Sequence, residues 1–180
     1  MRSHYEERYG RRFIPPDMTI QDFGVSYEEL EPHFDFAEKV FGTSGTAWTV
    51  NGRKAGAGQG GNPFAPDRSD DFPLPAQKRT VSAMLFAQAA EAVGYHPYDM
   101  PSANTSGPYT NPYGAQMGPC NFCGFCSGYV CYMYSKASPN VNILPALRLD
   151  PRFELRTLCH ATRINLSRDG RTATGVTYVD

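Results

Sequence analysis

The sequence predicts an α/β chain in α+β arrangement, with helices and long loops first and strands last. Three observations lead there. Two segments repeat apolar residues at helical spacing between recognisable caps. Residues 151–180 alternate apolar and polar positions around an Asp-Gly turn. The intervening stretches are rich in Gly (17) and Pro (15), and aromatics reach 13%, which points to ordered loops closed by Tyr and Phe rather than to a helical bundle. The 180 residues suffice for one domain with a core, or for part of a larger one. A partly disordered chain is the competing view; eleven Phe and eleven Tyr argue against it, because disordered segments are poor in aromatics.

Taken in order, "SYEELEPHFDFAEKVFG" is the first helix. Ser26 and Glu29 have the spacing of a capping box, and Gly42 lies where a C-cap belongs. Leu30, Phe34, Ala37, Val40 and Phe41 fall on one stripe. Pro32 sits within the first two turns, so a later start or a kink is expected. The segment from Gly42 to Gln77 has too many Gly and Pro for regular structure and is long for a loop in a compact domain, hence functional or a linker. Its "GAGQGG" resembles a phosphate-binding turn only superficially. No strand precedes it and Pro63 follows, so a flexible surface loop is the better reading. "KRTVSAMLFAQAAEAVGYHP" is the clearest helix, with Val81, Met84, Leu85, Ala89, Ala92 and Val93 on one face and Gly94 as its stop. A further loop leads to the cysteines, and a short helix is expected near Ile143–Leu149. The end reads strand, strand, turn, strand, with the hairpin at Asp169–Gly170 and Ile164, Leu166, Val176 and Tyr178 on an inward face.

Composition excludes several classes. The formal charge is −1 and charged residues make up 19%, with no basic stripe, so nucleic acid is not an expected partner. No apolar run is long enough to be a transmembrane segment. The charged start "MRSHYEERYGRRF" has no apolar h-region and is no signal peptide. Independent export by such a signal is therefore not expected, while export in company with another subunit stays open.

Four of the five cysteines fall in "CNFCGFCSGYVC", as Cys120, Cys123, Cys126 and Cys131. Disulfides between residues three apart are poorly placed for bridging. Structural zinc usually draws two ligand pairs a dozen or more residues apart, and here no distant pair exists. An iron–sulfur centre suits the spacing best, because one loop can wrap a compact inorganic core and present each thiolate to a different iron. Gly124 and Gly128 would let the backbone turn and bring N–H groups near the sulfides, and Phe122, Phe125 and Tyr129 would keep water out. Three cysteines hold a three-iron cluster and four can hold a cubane, and zinc or structural thiols remain alternatives. Cys159 reads as a small buried hydrophobe on a strand. His4, His33, His96 and His160 lie outside metal spacing of one another and read as structural or surface residues. Lys136 and Ser138 read as caps of the next helix, or else face a cofactor. Asn111, Pro112 and Tyr113 form a turn signal.

In that order, "YEELEPHFDFAEKVFG", "FAQAAEAVGYHP", "MGPCNFCGFCSGYVC", "SKASPNVNILPAL" and "FELRTLCHATRINLSRDGRTATGVTYVD" resemble the glucose–methanol–choline (GMC) oxidoreductase family. The likeness is greatest to the large flavoprotein subunit of its gluconate 2-dehydrogenase branch, with its sugar and polyol dehydrogenase relatives. It covers nearly the whole chain, and the cysteine run joined to "SKASP" is its most specific part. The resemblance implies FAD as cofactor, hydride removal from a hydroxyl-bearing carbon of a sugar, sugar acid or polyol, and an iron–sulfur relay, 3Fe–4S rather than 4Fe–4S, to a multihaem cytochrome c subunit and quinone. It implies the periplasmic face of the inner membrane and a small partner subunit that carries the export signal. It places a backbone contact with the FAD adenine at Ala161, and the cluster ligands at Cys120, Cys123, Cys126 and Cys131, the last the least certain.

The family pattern also includes an N-terminal dinucleotide-binding βαβ unit and a C-terminal segment with a catalytic His. Neither is matched here, so no catalytic residue is assigned. The expectation is an internal piece of a two-domain flavoprotein, inactive by itself. Residues 1–119 would supply helices and loops of the FAD and substrate side, 120–135 the cysteine loop, and 136–180 a helix and three strands returning to the FAD-binding domain. The alternatives are a freestanding iron–sulfur or zinc module and a cluster-free relative with structural cysteines.

Overall fold

The computed structural model describes residues 2–55 and 60–180. It is mixed helix and strand, in keeping with an α+β piece of a flavoprotein. The chain forms two compact units, Met1–Ala146 and Leu147–Asp180. Most of "GAGQGG" lies outside the described residues.

The first unit opens with helix α1, Arg2–Tyr9, which the sequence reading did not expect. Its signal is local: Arg2 and Glu6 pair one turn apart at 2.9 Å, and Tyr9 stacks on Phe13 of the short 3₁₀ turn Arg11–Phe13. Helix α2 spans Tyr27–Phe41, and its caps are the expected ones. Ser26 Oγ accepts the Glu29 N–H at 3.2 Å and Glu29 returns the bond to the Ser26 N–H at 2.6 Å. Gly42 closes the helix in the left-handed region at φ 64°. Pro32 lies inside it, removing one N–H donor in the second turn without delaying the start.

The buried edge of α2 is not the predicted stripe. Val40 is buried, but Phe34 and Phe41 are exposed. The helix instead turns an acidic edge to residues 67–71. Buried Glu31 accepts the Ser69 N–H at 2.9 Å, Glu38 pairs with Arg68, and Lys39 bridges Asp35 at 2.9 Å and Asp70 at 3.0 Å. Those groups find their partners in a loop distant in sequence, which periodicity within the helix does not report.

Two-residue strands β1 (Thr49–Val50) and β2 (Arg53–Lys54) pair antiparallel. Helix α3, Val81–Ala92, is capped by Thr80, whose Oγ1 accepts the Ala83 N–H at 3.3 Å, and Gly94 follows at φ 84°. Its predicted face is again not buried. Val81, Met84, Leu85 and Val93 are exposed, and within α3 Ala87 is the buried residue. Strands β3 (Tyr109–Thr110) and β4 (Gln116–Met117) form a second short pair, and the expected short helix appears as two turns, α4 (Pro139–Asn142) and α5 (Leu144–Leu147).

The unit is held by a knot of loops whose buried centre is largely polar: Ser44, Thr105, Asn111, Ser135 and Asn142, with Val40, Ala47, Ala115 and Met117. Ser44 and Ser102 exchange both backbone bonds at 2.9 Å. The Ser44 hydroxyl donates to the Asn104 carbonyl at 2.7 Å and accepts the Ser106 N–H at 2.8 Å. Asn111 joins three segments. Its amide donates to the Val40 and Asn142 carbonyls at 3.0 and 2.7 Å, while its Oδ1 accepts the N–H groups of Tyr113 and Ala115. The turn signal at Asn111 is thus one side chain that fastens α2, the β3–β4 turn and α4 together.

In the second unit, β5 (His160–Leu166) and β6 (Ala173–Val179) form an antiparallel hairpin closed as expected at Asp169–Gly170, with Ser167 donating to the Thr172 carbonyl at 2.8 Å. Two strands stand where three were predicted. Residues 153–159 are not strand, and Leu158 sits at φ 62°, outside the extended region a strand needs. Cys159, expected buried on a strand, is half-buried just before β5. The predicted inward face exists as a face, Ile164 standing opposite Val176, but Ile164, Leu166, Val176 and Tyr178 are all exposed.

Candidate functional site

The cysteine loop leaves from and returns to one strip of the knot. Thr105 and Ser135, both fully buried, hold that strip. The Thr105 N–H donates to the Ser135 carbonyl at 3.1 Å, the Ser135 hydroxyl donates to the Thr105 carbonyl at 3.1 Å, and the Thr105 hydroxyl donates to the Gly118 carbonyl at 2.6 Å. The Cys120 N–H donates to the Thr105 carbonyl at 2.8 Å, and Asn104 and Lys136 face each other in an isolated antiparallel bridge. A Cβ on Gly118 would collide with the Met133 carbonyl oxygen, so the two ends of the loop touch there. The cysteines therefore ride on a loop with its ends pinned together, a geometry common among functional loops.

Inside the loop the backbone turns at the expected glycines, Gly124 at φ 79° and Gly128 at φ 80°, and also at Phe122, φ 58°. All five cysteines are free thiols. Cys123, Cys126 and Cys131 line one hollow of about 220 Å³ with Phe125, Tyr129 and Tyr132, and Cys120 lies outside that lining. The Cys120 sulfur accepts the Phe122 N–H at 3.5 Å, and the Cys126 sulfur accepts the Asn104 side-chain amide at 3.7 Å. Burial pushes the Cys131 thiol up, but the N–H groups of Lys136, Ser135 and Met133, with the Lys136 charge, outweigh it and hold it below the ordinary thiol range. Among the described residues no group of three or more His, Cys, Asp or Glu stands in position to hold a metal ion. Phe122, Phe125 and Tyr129 are exposed, which corrects the expectation that they exclude water; Phe125 and Tyr129 instead meet edge to face at 6.0 Å.

Lys136 does not cap the next helix. Its ammonium donates to the Cys126 carbonyl at 2.6 Å and the Tyr129 carbonyl at 3.3 Å, so it belongs to the cysteine loop. Ser138 occupies the N-cap position of α4 without a side-chain cap bond. Neither Lys136's loop role nor Asn104 was legible beforehand, because their partners lie 10 and 22 residues away in a segment without periodicity. Ala161 lies on β5 opposite Tyr178, and the register shifts between Ala161 and Arg163. Thr162 has no opposite residue, so the ladder is interrupted beside Ala161. His4, His33, His96 and His160 are exposed, and His96 packs edgewise on Trp48 at 5.4 Å. Among the described residues no helix is long and apolar enough to cross a membrane.

By sequence the chain is similar to part of a known flavoprotein. It is 76% identical, over all 180 of its residues, to the gluconate 2-dehydrogenase flavoprotein of Pantoea cypripedii, and it spans 29% of that protein's length. The likeness expected from the motifs is thereby shown for a flavoprotein of that name. No family model matches the chain.

Proposed function

We propose that this chain is a portion of a GMC-type, FAD-dependent dehydrogenase. The parent enzyme would oxidise a hydroxyl of a sugar, sugar acid or polyol and deliver the electrons through an iron–sulfur cluster to a cytochrome c subunit and quinone. The observation that carries this is the cysteine loop, pinned at both ends, within a chain 76% identical to a gluconate 2-dehydrogenase flavoprotein.

Several features support the cluster. The donor set is four soft thiols on one loop, three of them around one hollow. The sulfurs of Cys120 and Cys126 already accept N–H bonds of the kind that tune such centres. Cys120, Cys123, Cys126 and Cys131 would be the ligands, and three of them already line the hollow. Bound FAD would supply the hydride acceptor, and the cluster single-electron transfer. The register shift next to Ala161 is where main-chain groups would meet the adenine. No residue of this chain is assigned as the base that takes the hydroxyl proton, and the chain is inactive by itself. A small export-carrying subunit and a periplasmic site at the inner membrane complete the proposal.

Anaerobic expression tests the cluster directly. Broad absorption towards the blue, with iron and acid-labile sulfide in the purified chain, is the expected result. Zinc alone, or no iron after reconstitution with ferrous iron and sulfide, would overturn it.

A further inference from the structure

Two residues from outside the cysteine loop converge on one cysteine. Asn104 and Lys136 face each other in an antiparallel bridge. From one side Asn104 donates its amide N–H to Cys126 Sγ at 3.7 Å, and from the other Lys136 donates its ammonium to the Cys126 carbonyl at 2.6 Å. The platform under them does not move easily. The Asn104 carbonyl accepts the Ser44 hydroxyl and the Gln77 amide, both at 2.7 Å. Thr105 and Ser135, the next residue and the preceding one, are fully buried. The Lys136 ammonium also holds the Tyr129 carbonyl at 3.3 Å, so a single cation fastens two points of the loop.

We propose that Asn104 and Lys136 are positioning residues that lock Cys126 and tune a redox centre held by the loop; this rests on the iron–sulfur reading above. The physical argument has two parts. An N–H bond to a thiolate and a nearby positive charge both favour the more negative, reduced form of a cluster, and so raise its reduction potential. A charged donor shared by two carbonyls also restrains the loop whether or not a metal is present.

The test uses the full chain and the substitutions Lys136→Met, Lys136→Arg and Asn104→Ala. Without metal, chymotrypsin should cut Lys136→Met within residues 119–134 roughly three- to tenfold faster than the unsubstituted chain, and Lys136→Arg should restore most of the protection. After anaerobic reconstitution, the midpoint potential should fall in Lys136→Met and, less, in Asn104→Ala, at equal iron per chain. Unchanged cleavage together with an unchanged potential in an iron-loaded variant would overturn the inference alone. Absence of iron from the unsubstituted chain would overturn the cluster reading, and the tuning role with it.

Discussion

The loop knot of the first unit and the β5–β6 hairpin of the second are both ordered, but by opposite means. In the knot, Thr105, Ser135, Ser44 and Asn111 are buried and their side chains tie distant backbone segments together. In the hairpin a backbone ladder does the work, and the residues of β6 are exposed throughout. Buried side-chain hydrogen bonds are costly to leave unmade, whereas an exposed side chain on a ladder is nearly free to change. Regularity of secondary structure is thus a poor guide to which part of this chain tolerates substitution.

The largest effect should come from Asn111→Ala, which strands the N–H groups of Tyr113 and Ala115 and the carbonyls of Val40 and Asn142. We expect a loss of about 3 kcal/mol or more, read as a lowered urea midpoint in the fluorescence of Trp48, the single tryptophan. A loss below about 1 kcal/mol would mean that water replaces those bonds and the knot is no tighter than the hairpin. A smaller effect concerns acid. The Lys39 ammonium and the Asp71 N–H hold the Asp70 carboxyl below the usual carboxylate range. The contribution of that group is therefore fully present above the unfolded value of about 3.9 and is lost as pH falls through the lowered folded value. Exposure limits it to about 0.5 kcal/mol. Asp70→Asn should flatten the acid limb of the stability profile by that amount, and an unchanged limb would remove the pair from the account. The smallest is Ile164→Lys, expected within about 0.5 kcal/mol of the unsubstituted chain by circular dichroism, with no loss of solubility. A drop of about 2 kcal/mol would show that something covers the hairpin face.

What could be seen in advance follows the same division. Features encoded within a few residues were legible: the Ser26–Glu29 box, the Gly42 and Gly94 stops, and the Asp169–Gly170 turn. The cysteine spacing was equally plain. Periodicity placed Val81, Met84 and Leu85 on one helix face and Ile164 beside Leu166; it reports which residues share a face and not what covers them, and here both faces are bare. The knot was illegible because Thr105 meets Ser135, and Asn111 meets Val40, across 30 and 71 residues of chain without a repeat. The same holds for Asn104, whose amide meets Cys126 from outside the cysteine motif.

The polar centre of the knot has a thermal consequence. The heat capacity gained on unfolding comes from hydrating hydrocarbon, and hydrating polar groups subtracts from it. With hydroxyls and amides where leucines usually sit, the first unit should gain little, and its stability curve should be shallow. Warming and cooling then shift its free energy gently on both sides of the maximum, and its melting should be broad.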